Sequence, residues 1–141
     1  MLKGSRKLRP TKLHRYIWAL PNTLLGIPFV PLAIFTGGRI AVVSGVVELN
    51  GGLIALILRY CTLIRGGAGA MTLGHIVLGL DEQTLTATRQ HERAHVRQCE
   101  IWGPAFIPAY IAAWLWALAK GSDGYEGNYF EREAIEREEE V

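Results

Sequence analysis

The sequence predicts an α+β protein: a short antiparallel β-sheet packed on a long central helix and a C-terminal helix, preceded by a membrane-associated segment. Three observations predict it. An uncharged apolar run occupies residues 16–36, and glycine-bounded runs rich in Val, Ile and Leu fill residues 37–80. Residues 81–103 carry a helical repeat with a start and a stop signal. A length of 141 residues suits one domain with a real core. The boundaries read as a basic arm at 1–15, a membrane anchor or interfacial segment at 16–36, a domain at 37–135 and an acidic tail at 136–141.

The arm carries Lys3, Arg6, Lys7, Arg9, Lys12 and Arg15 with no acid, whereas eight acids face only Arg132 and Arg137 after residue 120. The net charge of +2 thus hides a basic head and an acidic tail. Basic residues just before an apolar run favour membrane lipid as a partner. Nucleic acid is disfavoured, because no aromatic residue interleaves with those charges before His14 and Tyr16. The run 16–36 is just long enough to span a bilayer as a helix, but Pro21, Pro28 and Pro31 would kink it. A span, a kinked interfacial segment and a re-entrant turn stay open, and the long run without a small-x-small exit favours an uncleaved anchor. If it spans, its basic flank puts the N-terminus in the cytoplasm.

Gly37-Gly38 opens the β-rich part. Arg39–Glu48 and Leu53–Ile64 read as strands joined by a turn at Asn50-Gly51-Gly52, since Asn and Gly tolerate positive φ. Ala70–Gly79 reads as a further strand, with His75 an ordinary strand residue. Cys61 and Cys99 give no disulfide framework, and Cys99 reads as a small buried residue.

The next helix starts at a cap from Asp81 or Thr84 and stops at Gly103-Pro104. Leu85, Thr88, His91, His95, Gln98, Cys99 and Trp102 recur at three- and four-residue steps and form the inward face; Arg89, Arg93, Arg97 and Glu100 fall outward. Gly103–Ala119, with Trp114 and Trp116, is a second apolar run that is short for a span. It suits a membrane interface, a groove or a buried core helix.

The chemistry concentrates in His91-Glu92-Arg93-Ala94-His95. Residues four apart on a helix share a face, so His91 and His95 can present ring nitrogens to one metal ion, with Glu92 beside it to accept a proton from water. This H-E-x-x-H spacing is the zinc-peptidase signature. A catalytic zinc needs three protein ligands and an open position. Ile101 stands where some such patterns place a third histidine, so an acid further on is required: Glu131 or Glu133. Those two point about 200° apart on a helix, and Glu131 shares the arc of Phe130, Ala134 and Ile135, which favours it. Asn128 three residues before Glu131 also fits a capping box, which would leave Glu133 as the ligand.

HERAH followed some thirty residues later by FEREA resembles the gluzincin branch of zinc metallopeptidases, and its E-x-x-A portion is similar to that of the membrane-associated prenyl-protein endopeptidases and their bacterial relatives. The resemblance implies a minimal zincin-like domain in which His91, His95 and Glu131 bind Zn²⁺ and Glu92 is the general base. Ile135 stands where many of those relatives carry an aspartate that orients a ligating histidine. The activity implied by the resemblance is that of a membrane-associated zinc metalloendopeptidase acting on a peptide or protein substrate. Tyr125, Tyr129 and His75 are candidate donors to the oxyanion, and Ala70–Gly79 would bind substrate by edge pairing. The expected place is the bacterial inner membrane, with the zinc domain on the outer face if 16–36 spans once from a cytoplasmic N-terminus and in the cytoplasm if 16–36 only lies in the interface. The alternative is a non-catalytic membrane adaptor with a structural metal site; a third reading takes HERAH as surface polar residues that bind no metal. If His95 and Glu131 share a zinc, residues 103–119 cannot be a simple span.

Overall fold

The structure is a computed structural model that describes residues 12–62 and 67–139. The first eleven residues of the basic arm, the end of the expected strand at Ile64 and the last two residues of the acidic tail lie outside the described residues. The fold is α+β. Helices α1 (Leu13–Trp18), α2 (Leu20–Gly26) and α3 (Phe29–Phe35) precede strands β1 (Arg39–Val43) and β2 (Val46–Asn50), then helix α4 (Gly52–Tyr60), strands β3 (Ala70–Leu73) and β4 (Ile76–Gly79), and helices α5 (Glu82–Trp102), α6 (Phe106–Ala119) and α7 (Tyr129–Glu139).

The four strands form one sheet in the order β1-β2-β4-β3. Two hairpins build it, β1 with β2 and β3 with β4, and β2 runs parallel to β4 in the middle. The sheet is therefore mixed, not purely antiparallel. The parallel pair arises because α4 carries the chain across between the hairpins, the connection that parallel neighbours need.

The hairpins turn elsewhere than at the expected Asn50-Gly51-Gly52. The first turns at Ser44 and Gly45, both at positive φ (50° and 80°), the conformation of a tight two-residue hairpin. The expected strand from Leu53 does not form over its described residues: its first part is helix α4, which buries Ile54 and Leu58 one turn apart. Ala70–Gly79 is two strands, because Gly74 turns the chain at φ 64° against the Thr23 backbone, where a Cβ would collide.

Helices α1–α3 are fastened to the rest of the chain. Tyr16 donates to the Gly45 carbonyl (2.7 Å), Trp18 to Ile101 O (3.0 Å) and the buried Asn22 amide to Gly103 O (2.8 Å). Ala33 enters the main core with Leu49, Ile54, Leu58, Ile76 and Leu78. A second cluster of Ala19, Cys99, Phe106 and Phe130 joins α1–α2, α5, α6 and α7. The helical stretch Glu82–Ala119 is long and apolar enough, by length and composition, to cross a membrane, and Leu20–Phe35 is a shorter apolar stretch.

Candidate metal centre

Helix α5 forms as its sequence dictates. The Asp81 carboxylate caps its start by accepting from the Thr84 amide at 2.6 Å, and Gly103 closes it. Leu85, His91, His95, Gln98 and Cys99 are buried on one face, as the spacing predicts, although Trp102 is exposed. The opposite face is less wet than expected. Glu100 is buried against His75, and Arg89 and Arg93 converge on the buried Glu48 of β2. The sheet and α1 cover that side, which a helical repeat alone cannot reveal. Cys99 lies at 0% exposure with its thiol pushed up to about 12 by burial, so it is core.

Helix α7 brings the third group. The Asn128 side chain accepts from the Phe130 amide (3.0 Å) and donates to Tyr110 O (3.3 Å), tying the helix start to α6. The Glu131 carboxylate does not return to the Asn128 amide as a capping box requires; that amide bonds Tyr125 O. Instead Glu131 Oε2 sits 3.0 Å from His91 Nε2 and 3.1 Å from His95 Nε2, and the two nitrogens are 3.2 Å apart. Glu133 lies outside this triangle, bonded to Tyr129, Arg137 and the Gln98 amide.

Proton accounting shows what such a triangle needs. Gln98 Nε2 donates to the Phe130 carbonyl (2.9 Å), which can only accept, so Gln98 Oε1 is the atom that faces His95 Nδ1 at 2.9 Å. His95 Nδ1 must therefore carry the proton, and in the neutral ring Nε2 is a bare lone pair. His91 Nδ1 lies within ion-pair distance of the Glu138 carboxylate at 3.4 Å, which favours the proton on that nitrogen and a bare Nε2. Two lone pairs and a carboxylate oxygen then converge on one point, an arrangement that repels itself without a cation. Three buried ligand atoms within 4.8 Å of one another could hold a metal ion. Bonds of about 2.0–2.1 Å at a tetrahedral angle place ligand atoms about 3.3 Å apart, close to these separations, and leave a fourth position open.

Without a metal, the cation is a proton. Burial opposes charging His95, but its bond to Glu131 and that carboxylate's charge prevail and raise it to about 9. His91 is raised too: burial opposes the charge and the Glu131 bond outweighs it. Burial pushes Glu131 up, yet its bonds to both histidines win and hold it well below the usual carboxylate range. Burial raises Glu92, against the pull of the nearby histidines and of Thr72. Thr72 of β3 donates to Glu92 Oε2 at 2.6 Å and so fixes the carboxylate of the expected base.

A cavity of about 680 Å³ reaches the triangle. Its walls include β3, Glu92, and Phe106, Tyr110 and Trp114 of α6. Tyr110 donates to Glu131 Oε1 at 2.6 Å, and the Tyr125 hydroxyl lies 3.3 Å from His91 Nε2. Both phenols are pushed up, by burial first and then by the Glu131 charge, so they stay protonated donors at neutral pH. Of the three expected oxyanion donors, only Tyr125 is at the site. Tyr129 is exposed on α7, and His75 is buried against Glu100 and the Tyr16 ring. Sequence reasoning missed Thr72, Gln98, Tyr110 and Glu138 as site residues. Only Gln98, on the inward face three residues after His95, gave a signal that could have found it. No family model, curated protein or solved structure matches the chain.

Proposed function

We propose that this chain is a zinc metallopeptidase in which His91, His95 and Glu131 hold the ion and Glu92 is the general base. One observation carries this reading: two bare histidine nitrogens and a carboxylate oxygen converge within 3.0–3.2 Å, beside a second carboxylate on the same helix and at the end of a cavity. Two nitrogens and one oxygen suit zinc, and three protein ligands rather than four are the catalytic pattern. Zinc in such a site supplies Lewis acidity, acidifying water and polarising a carbonyl.

The chain's own groups do the rest. Gln98 holds the Nδ1 proton of His95 and the Glu138 carboxylate stands 3.4 Å from His91 Nδ1, supplying the orientation that Ile135 cannot give. Tyr110 fixes the free oxygen of Glu131. Glu92, steadied by Thr72, takes the proton from water and returns it to the leaving amine; its raised pKa suits a group that must hold that proton in mid-reaction. The Tyr125 hydroxyl donates to the oxyanion of the tetrahedral intermediate. Strand β3 is a sheet edge bordering the cavity, so its free side can pair with an extended peptide.

Glu92→Gln is expected to keep the metal and lose hydrolysis of quenched-fluorescent peptides by at least about a hundredfold, the scale of general-base catalysis. Wild-type rates in that variant would overturn the peptidase reading and leave a structural metal site in a membrane adaptor.

A further inference from the structure

Helix α6 is apolar on both faces but buried on one. Phe106, Tyr110 and Trp114 recur at four-residue steps and line the cavity of the site, and the buried Ala117 continues that side of the helix. On the outer side Trp116 and Leu118 are 64% and 50% exposed, Ile111 and Leu115 at the border of the cavity are 52% and 60% exposed, and no charged residue interrupts 101–119. A helix that is hydrophobic all round belongs in a core or a membrane. Within the described residues nothing covers this outer side.

Helix α6 does not project away from the domain. Phe106 at its start packs on Cys99 and Phe130, while at its end Ala117 O accepts from the Ser122 amide. Trp114 lies against Gly124, one residue before Tyr125 at the site. At 1.5 Å per residue α6 is about 21 Å long, short of the ~30 Å hydrocarbon core. Leu20–Phe35 reaches about 24 Å by the same rise, and its Asn22 and Ala33 are buried in the protein. These stretches lie along the domain instead of leaving it.

The apolar surface continues from α6 onto its neighbours. Trp18 seats against Gly103 at the α5–α6 junction, and Ile17, Trp18, Leu24 and Leu25 of α1–α2 are half or more exposed. Ile101 and Trp102, directly before that junction in the chain, are exposed as well, and Trp18 donates to Ile101 O. Basic groups flank this surface. Lys12 stands exposed at the start of α1, directly after Lys3, Arg6, Lys7 and Arg9 in the chain, Arg15 one turn on is half-buried and paired with Glu100, and Lys120 at the far end of α6 lies 4.8 Å over the Trp116 ring. Apolar side chains bordered by cations, with tryptophans among them, match the boundary between acyl chains and anionic headgroups.

We propose that α1, α2 and the outer side of α6 form a monotopic docking surface that sinks into one leaflet of an anionic bilayer, so that the roof of the site is a membrane-embedded helix. This inference does not rest on the peptidase reading. The test floats the full chain with vesicles of phosphatidylcholine alone or mixed with phosphatidylglycerol. Brominated acyl chains then report the depth of the tryptophans by fluorescence quenching. Wild type is expected to float with the anionic vesicles and to be quenched most by bromines near the headgroups. The double variant Leu25→Glu/Leu118→Glu, at two exposed positions outside the cavity, should lose about tenfold or more in partitioning, with its far-ultraviolet circular dichroism unchanged. Glu92→Gln should bind vesicles as wild type does. Strongest quenching at the bilayer centre would mean a span and overturn the proposal. So would a detergent-free dimer that does not float, because a second copy would then cover the surface. The quenching pattern is read on wild type and holds even if the double variant fails to fold.

Discussion

Gln98 does two things at once: its amide nitrogen is fixed by the Phe130 carbonyl, and its oxygen takes the Nδ1 proton of His95. Gln98→Leu is therefore expected to weaken metal binding by about 10–100-fold, the usual effect of removing a partner that orients a ligand; competition with a chromophoric chelator measures it. The same triangle sets a pH dependence for the metal-free chain. His95 rises from an ordinary 6.5 to about 9, so the stability it contributes is complete below 6.5 and lost as pH climbs through 9. Glu131 is depressed from 4.5, so its contribution is complete above 4.5 and fades in acid. Urea midpoints of chelated protein should fall between pH 6.5 and 9, and the loss should shrink in Glu131→Ala. A flat profile would show that the histidines do not share a proton with Glu131. At this scale the HERAH pair was legible in the sequence, since four-residue spacing fixes a shared helical face. Thr72 and Tyr110 were not, because they arrive through tertiary contacts from a strand and from another helix.

Helix α5 is held from behind as well as in front. Glu48 of β2 takes two bonds from Arg89 (3.0 Å each) and one from Arg93 (3.1 Å), and Arg93 also donates to Val43 O. Glu48→Leu would leave the largely buried Arg93 without its carboxylate, and removing one partner of such a pair costs about 3–5 kcal/mol. Arg89 is partly exposed, which favours the lower end; urea unfolding checks this, and a change under about 1 kcal/mol would contradict it. The limits of α5 were readable from Asp81 and Gly103, because caps and breakers are local chemistry. The sheet was misread for the opposite reason. Residues 53–60 form a short apolar run in which strand and helix patterns compete, and burial of Ile54 and Leu58 against the core decides for helix. Once α4 replaced the second expected strand, β2 and β4 became parallel neighbours. That pairing is set by chain crossing and no local pattern encodes it.

For the whole molecule, one helix carries three of the four groups proposed to hold the ion or act as the base, and α7 returns with the fourth. His95 and Glu131 meet at 3.1 Å, so the chain between them leaves and comes back on the same side of any membrane. The glycine-bounded apolar runs and the helical repeat gave the coarse α+β class, and the apolar run 16–36 behind a basic arm gave the membrane-associated reading. They did not give the fastening of 16–36 onto α5 and the sheet, which rests on polar contacts such as Asn22 with Gly103 that a hydropathy profile reads only as blemishes in an apolar run. The most direct test is elemental analysis of detergent-purified full chain, with wild type beside Glu131→Ala and Glu133→Ala. The expected result is close to one zinc per chain in wild type and Glu133→Ala, and little in Glu131→Ala. A zinc-free wild type after reconstitution, or full zinc in Glu131→Ala, would contradict the proposed centre.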